Sequence, residues 1–199
     1  MLSVARMNQC PEDIGAEVAF AGRSNAGKSS AINTICDQKK LARASKTPGR
    51  TQQLNFFSVA DSIRIVDLPG YGFAKVPLEM RKNWGLLVGN YLKKRKSLRG
   101  VILMMDVRHP LKDQDVELVD WSAQLGLPLH VLLTKSDKLS HGAAKSSMLK
   151  VRNALKHAPL ATVQLFSSLN GNGVDEARSL LDQWFGLDTP EEAQCEPVN

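Results

Sequence analysis

The chain has 199 residues, 43% of them hydrophobic and 23% charged, which excludes a fibrous or disordered polymer and fits one globular domain with a sizeable core. No apolar run approaches the roughly 18 residues of a membrane span, and the opening MLSVARMNQC lacks the basic-then-apolar pattern expected of a secretory signal. A formal net charge of +6 favours a polyanionic partner or serves simple solubility, and three cysteines without metal-ligand spacing (Cys10, Cys36, Cys195) indicate a reduced, cytoplasmic setting.

Residues 1–15 show no clear period and read as an N-terminal extension. EVAFAG, Glu17 to Gly22, then reads as a buried strand, and KSSAINTIC as the helix after it. LNFFSV and IRIVDL read as two strands joined by a turn at Ala60 to Ser62, and GVILMMDV, LHVLLTKSD and ATVQLFSS as three more. Helical patterns lie near Leu78 to Arg95, Asp113 to Leu125, Gly142 to Lys156 and Val174 to Phe185. This alternation predicts an α/β fold over residues 16–186, a mostly parallel six-stranded sheet with helices on both faces. The end, 187–199, is acidic, aperiodic and Pro-containing, the composition of a disordered tail. In such a sheet ligands bind beyond the carboxyl ends of the strands, so site residues should follow the apolar runs.

They do. Gly22-Arg23-Ser24-Asn25-Ala26-Gly27-Lys28-Ser29 matches G-x-x-x-x-G-K-[ST] between a predicted strand and helix. Glycines allow backbone N–H groups to point at phosphate oxygens, Lys28 reaches the β- and γ-phosphates, and the Ser29 hydroxyl suits Mg²⁺. Val66-Asp67-Leu68-Pro69-Gly70 ends the third predicted strand. There Asp67 can hold Mg²⁺ through water, and the Gly70 amide can sense a γ-phosphate. The polar loop SKTPGRTQQ between them includes Gly49, Arg50, Thr51, Gln52 and Gln53. Thr47 or Thr51 can complete the Mg²⁺ shell from it, and spacing alone does not choose. After the fifth predicted strand, Thr134-Lys135-Ser136-Asp137 supplies a base reader. An ionised Asp137 accepts from guanine N1–H and its exocyclic amine, whereas adenine presents a lone pair there. The Lys135 stem can lie along the base plane. Phe166, Ser167, Ser168 and Leu169 follow the sixth strand and can close over the base. The competing reading of TKSD is a helix N-cap, to which Ser136 and Asp137 are suited. Taken in order, the motifs select GTP or GDP as the ligand.

With GRSNAGKSS, TPGRTQ followed by NFF, VDLPGYGFAKV, MMDVRHPLKDQD and TKSDKLS, the chain resembles a small GTPase of the translation-factor class. More narrowly it is similar to the EngB/YsxC/YihA family of bacterial ribosome-biogenesis GTPases. The resemblance spans Glu17 to Phe185. It implies a Ras-like fold and, within PGRTQ, Thr51 as the switch threonine that joins Ser29 on Mg²⁺. It also implies a role in assembling the large ribosomal subunit, with a linked effect on cell division and septation. Two positions depart from the wider GTPase pattern: Thr134 stands where Asn is common, which should weaken a bond to the phosphate loop, and Ser168 replaces Ala.

A glutamine after D-x-x-G orients the attacking water in Ras-like enzymes, and here that position is Tyr71, so turnover should be slow with Lys28, Thr51 and Gly70 carrying the chemistry. Related GTPases use an Asn at the position of Asn25 to bind K⁺ beside the phosphates. The alternative is that Asn25 only stabilises the loop turn. The basic run Lys93, Lys94, Arg95, Lys96 and Arg99 reads either as a solvated helix end or as an rRNA contact. A metabolic phosphotransferase would share the phosphate loop but not need Asp67 and Asp137 so arranged. A GTP-binding module without turnover is opposed by Thr51, Asp67 and Gly70.

Overall fold

All seven residues of Ala16–Gly22 are buried, which requires a strand covered on both faces. A computed structural model describes residues 1–42, 53–72 and 78–187, with the backbone alone over 78–84. Its strands are β1 (Leu2–Val4), β2 (Ala16–Gly22), β3 (Leu54–Ala60), β4 (Ile63–Asp67), β5 (Leu98–Asp106), β6 (Leu129–Thr134) and β7 (Ala161–Leu165). Its helices are α1 (Lys28–Ile35), α2 (Leu78–Lys94), α3 (Asp113–Gln124), α4 (His141–Ala154) and α5 (Val174–Phe185).

The strands form one sheet in the order β1-β3-β4-β2-β5-β6-β7. β2 runs parallel to β4 and β5, and β6 and β7 continue parallel beyond β5. The β3–β4 hairpin and β1 are the antiparallel part. The sheet therefore has seven strands where periodicity gives six. The additional one pairs Leu2 with Phe56 and Val4 with Leu54. Three residues are too few for an alternation to show, and only the exposed edge of β3 gives them a partner. Residues 188–199, most of the predicted tail, lie outside the described residues.

Alternate side chains of β2 enter different cores. Val18 and Phe20 pack with Ile32 and Ile35 of α1 and with Ala177 and Leu181 of α5. Ala19 and Ala21 belong with Val88 and Tyr91 of α2, Leu118 of α3 and Val151 of α4. The period of two thus places two helices on one face and three on the other. Phe56 and Phe57, adjacent on β3, divide between the cores in the same way.

At the end of the sheet where β2 begins, Glu17 is fully buried, and its carboxylate is fully engaged. Arg95 donates from Nε to Oε2 at 2.9 Å and from Nη2 to Oε1 at 2.7 Å. Tyr91 Oη donates to Oε2 at 3.0 Å, and Arg64 Nη1 to Oε1 at 3.1 Å. Burial raises the Tyr91 hydroxyl pKa well above its usual range, reinforced by the Glu17 charge. Arg95 is thus a structural cation, which corrects its reading as part of a solvated or RNA-facing run. Lys93, Lys94, Lys96 and Arg99 remain exposed. Removing one member of a buried ion pair costs several kcal/mol because the remaining charge is stranded. Arg64 and Tyr91 would still hold Glu17 in Arg95→Met, so the expected loss is about 3 kcal/mol, at the low end of that range. Urea unfolding followed by circular dichroism measures it, and a loss under about 1 kcal/mol would mean the guanidinium stabilises little.

Candidate functional site

The parallel strands all end at one edge of the sheet, and a polar loop leaves each of them there. Gly22 to Lys28 follows β2, Leu68 to Gly70 follows β4, Val107 and Arg108 follow β5, Lys135 to Asp137 follow β6, and Phe166 to Ser168 follow β7. Arg23, Ser24, Asn25, Gly27, Lys28 and Ser29 line one cleft of about 920 Å³ together with Gln53, Asp67, Leu68, Pro69, Gly70 and Lys135. Gly22 and Ala26 are buried beneath it. Gly49, Arg50, Thr51 and Gln52, and the alternative Thr47, lie outside the described residues.

The loop before α1 turns through two left-handed residues, Asn25 at φ 66° and Gly27 at φ 89°. Asn tolerates that region better than most side chains, and glycine adopts it without strain. A Cβ on Gly27 would lie 3.6 Å from Thr134, so the loop also sits closely on the end of β6. Thr134 Oγ1 donates to Ala26 O at 2.6 Å. The bond to the phosphate loop that a threonine was expected to weaken is therefore made, through a hydroxyl instead of an amide.

Lys135, itself left-handed at φ 60°, reaches back across the same loop. Its Nζ donates to Asn25 O at 2.7 Å and to Asp106 Oδ2 at 3.0 Å. Arg108 grips the other side of that carboxylate, Nε to Oδ1 at 2.9 Å and Nη2 to Oδ2 at 2.7 Å. These bonds, Arg108 first and Lys135 next, hold the Asp106 carboxyl well below the usual carboxylate range. Asp106 was not singled out from sequence. Its position at the carboxyl end of β5 was the available signal.

Asp137 stands in a single turn, Ser136 to Lys138, and does not cap α4, whose N-cap is Ser140. Ser167 Oγ donates to Asp137 Oδ1 at 2.6 Å and is the main cause of its lowered pKa. Ser136 N donates to the Phe166 carbonyl at 3.1 Å, so the β6 and β7 loops are joined by backbone as well. Ser168 is half-buried beside them, and Leu169 is exposed at the rim.

Lys28 Nζ pairs with Asp67 Oδ1 across the cleft. Ser24 N donates to Tyr71 O at 2.8 Å, so the loop after β4 is fastened to the phosphate loop. The Tyr71 side chain turns away from the cleft. It is buried, and its hydroxyl donates to Asp115 Oδ1 of α3 at 2.8 Å. Burial, with the Asp115 charge second, raises the tyrosine pKa well above its usual range, and burial also raises that of Asp115. No side-chain group of residue 71 faces the cleft to position a water.

The arrangement places a cation, loop N–H groups and a helix N-terminus around one cavity, which suits a polyphosphate. Asp137 does not itself line this cleft but stands two residues beyond Lys135, which does, and its acceptor-only carboxylate suits a base that presents two donors. Ser29 and Asp67 are hard oxygen donors of the kind Mg²⁺ prefers when phosphate oxygens complete the shell.

The family described as 50S ribosome-binding GTPase matches residues 17–135. A curated relative from Edwardsiella ictaluri, a probable GTP-binding protein EngB, is 54% identical over 192 residues, covering 96% of this chain and 88% of the relative. A Vibrio cholerae relative of the same description is 54% identical over 184 residues, 92% of this chain and 84% of the relative. Among solved structures, a probable GTP-binding protein engB superposes with a TM-score of 0.71 at 22% identity, over 86% of this chain and all of the other. At that identity the likeness concerns the fold.

Replacing Thr134 by valine keeps the shape and deletes the donor to Ala26 O. An acceptor left unpaired costs on the order of 1–1.5 kcal/mol, so nucleotide affinity should fall about tenfold. Titration with a fluorescent guanine nucleotide reads this directly, and unchanged affinity would mean the tie does not order the loop.

Proposed function

The chain belongs to the EngB family of GTP-binding proteins, and from that premise we propose that it is a nucleotide-gated switch in large ribosomal subunit assembly. GTP and GDP are its ligands and hydrolysis is slow. The observation that carries the nucleotide reading is the junction at Lys135 and Asp137: one loop bonds the phosphate loop at Asn25 O and holds a carboxylate kept ionised by Ser167. A guanine base between these groups is read by Asp137, with the Lys135 stem along its plane and Ser136, Ser168 and Leu169 closing its edge. Phe166 and Ser167 are fully buried beneath, Ser167 acting through its bond to Asp137 and Phe166 through the core.

In this reading Lys28 exchanges Asp67 for the β- and γ-phosphates, and amides of the loop from Arg23 to Ser29 take the remaining oxygens, other than that of Ala26, which is bonded to Arg23 O. Gly70 offers its N–H to the γ-phosphate, and the carbonyl of Tyr71, now on Ser24, is the contact that must yield as it does so. Ser29 and Thr51 are the residues that would hold Mg²⁺ directly and Asp67 through water, and the ion supplies charge neutralisation on the phosphates. Gly49, Arg50, Gln52 and Gln53 complete the nucleotide contacts of the same loop. With the Tyr71 hydroxyl committed to Asp115, nothing from that residue orients the attacking water, which supports a slow intrinsic rate. Asn25, exposed at the loop's apex, is the residue for a K⁺ ion that would offset charge in place of an arginine.

The partner in this proposal is the large ribosomal subunit or its precursor, met by a monomer in the bacterial cytoplasm, with normal division and septation depending on it. Support comes from the +6 charge and from the description of the matching family. Among the described residues no helix is long and apolar enough to cross a membrane.

Two measurements test this. Co-sedimentation with large subunits at fixed, near-physiological salt should be strong with a non-hydrolysable GTP analogue and lost with GDP. Binding that ignores the nucleotide, or that vanishes with modest added salt in both states, would sink the switch. Phosphate release should be faster in K⁺ than in Na⁺ at equal ionic strength, and equal rates would remove Asn25 from the mechanism.

A further inference from the structure

β6 and β7 pair with His130 opposite Thr162 and Leu132 opposite Gln164. Leu132 belongs to the core under α1 and α5, so the period of two puts His130, Thr162 and Gln164 on that face as well. The three polar side chains join one another there. His130 Nδ1 lies 2.6 Å from Thr162 Oγ1, and His130 Nε2 lies 2.8 Å from Gln164 Oε1. His130 is buried, and none of the three lines the nucleotide cleft.

The chemistry of the acceptors sets the direction of every bond in this chain. Gln164 Nε2 donates to Gly173 O at 2.7 Å, and a carbonyl can only accept, so the amide turns its oxygen to His130. That oxygen requires the proton of the imidazole to sit on Nε2. Burial lowers the His130 pKa, which favours the neutral ring, and Nδ1 then accepts from the Thr162 hydroxyl. Hydroxyl, imidazole and amide thus form one chain of fixed polarity that ends on the Gly173 carbonyl.

Gly173 ends the loop that follows β7 and carries Ser167. Within that loop Ser167 N donates to Asn172 O at 2.9 Å, and Gly171 N to Ser167 O at 3.1 Å. Asn172 Nδ2 reaches the Ser136 hydroxyl at 3.2 Å, and Ser167 Oγ holds Asp137. The approach at Gly173 is close. Its φ is 76°, and a Cβ there would lie 2.2 Å from Leu165 O and 2.7 Å from Gln164 Nε2, so only glycine brings this loop within reach of the Gln164 amide.

We propose that Gln164, oriented by His130, is a positioning residue for guanine recognition. It fixes Gly173, and with it the loop whose Ser167 aims the Asp137 carboxylate. This inference rests on the reading of Asp137 as the acceptor for guanine. Phosphate groups are common to all nucleotides, so a slackened loop shows in the choice between bases. Guanine offers Asp137 two donors, and hypoxanthine lacks the exocyclic amine. The preference for GDP over IDP therefore measures how well the carboxylate is aimed.

The test uses the full chain with Mg²⁺ and a fluorescent GDP analogue, displaced by GDP or by IDP. Gln164→Met deletes both bonds of the amide at similar length. Gln164→Glu keeps the shape and the acceptor towards His130 but cannot donate to Gly173 O. The preference for GDP over IDP should fall about threefold or more in both variants. His130→Phe should lower it too, and should add nothing when combined with Gln164→Met. Circular dichroism reports whether each variant folds, and the isosteric Gln164→Glu decides alone if Gln164→Met does not. GDP and IDP weakened by the same factor, or not at all, would make Gln164 a structural residue and overturn the proposal. Effects of His130→Phe and Gln164→Met that add in full would overturn the orienting role of His130. A wild-type chain that binds GDP and IDP equally would instead overturn the reading of Asp137 from which this inference starts.

Discussion

The phosphate loop carries two residues in the left-handed region, and two of its carbonyls are held from outside the loop. Here Ala26 O is held by Thr134 and Asn25 O by Lys135, both from the end of β6. The end of β6 and the phosphate loop are thus parts of one hydrogen-bonded unit. Asp106 extends it to β5, because the carboxylate that steadies Lys135 is steadied by Arg108. Three parallel strands therefore bear on one loop, and geometry at any of their ends is felt at the others.

A second constraint works from the opposite end of the sheet. Burying Glu17 without partners would be prohibitive, and Tyr91 of α2, Arg95 just past its end and Arg64 of β4 gather on it. Asp13 accepts from the backbone N–H groups of Lys96 and Ser97, which closes the turn between α2 and β5 over the N-terminal segment. The C-terminal end of α2 is anchored by this network, while the N-terminal end follows the loop after β4.

Tyr71 joins these two halves. In the position where a water-orienting amide would stand, the chain instead places a phenol that reaches α3. Its backbone carbonyl remains on the phosphate loop at Ser24 N. The residue therefore ties the loop after β4 to α3 and to the phosphate loop at once, and leaves no side-chain group in the cleft.

The phosphate-loop motif and the TKSD tetrad were legible in the chain because their chemistry depends on residue type at close spacing, within one turn of backbone. The alternation of buried strands and amphipathic helices was legible for the same reason, since periods of two and near four repeat within each element. What could not be read was every feature made by residues distant in sequence. Leu2 to Val4 is a strand only because β3 offers an edge. Arg95 is structural, unlike its neighbours Lys94 and Lys96, only because Glu17, 78 positions away, is buried beneath it. Thr134 replaces an amide without loss of the tie because Ala26 O stands 2.6 Å from its hydroxyl, a distance no local pattern records. The sequence by itself determined the family and the alternation of strands with helices on both faces, because both follow from local spacing. Only the tertiary structure decided which charges are buried and where Tyr71 points, because those depend on contacts between elements.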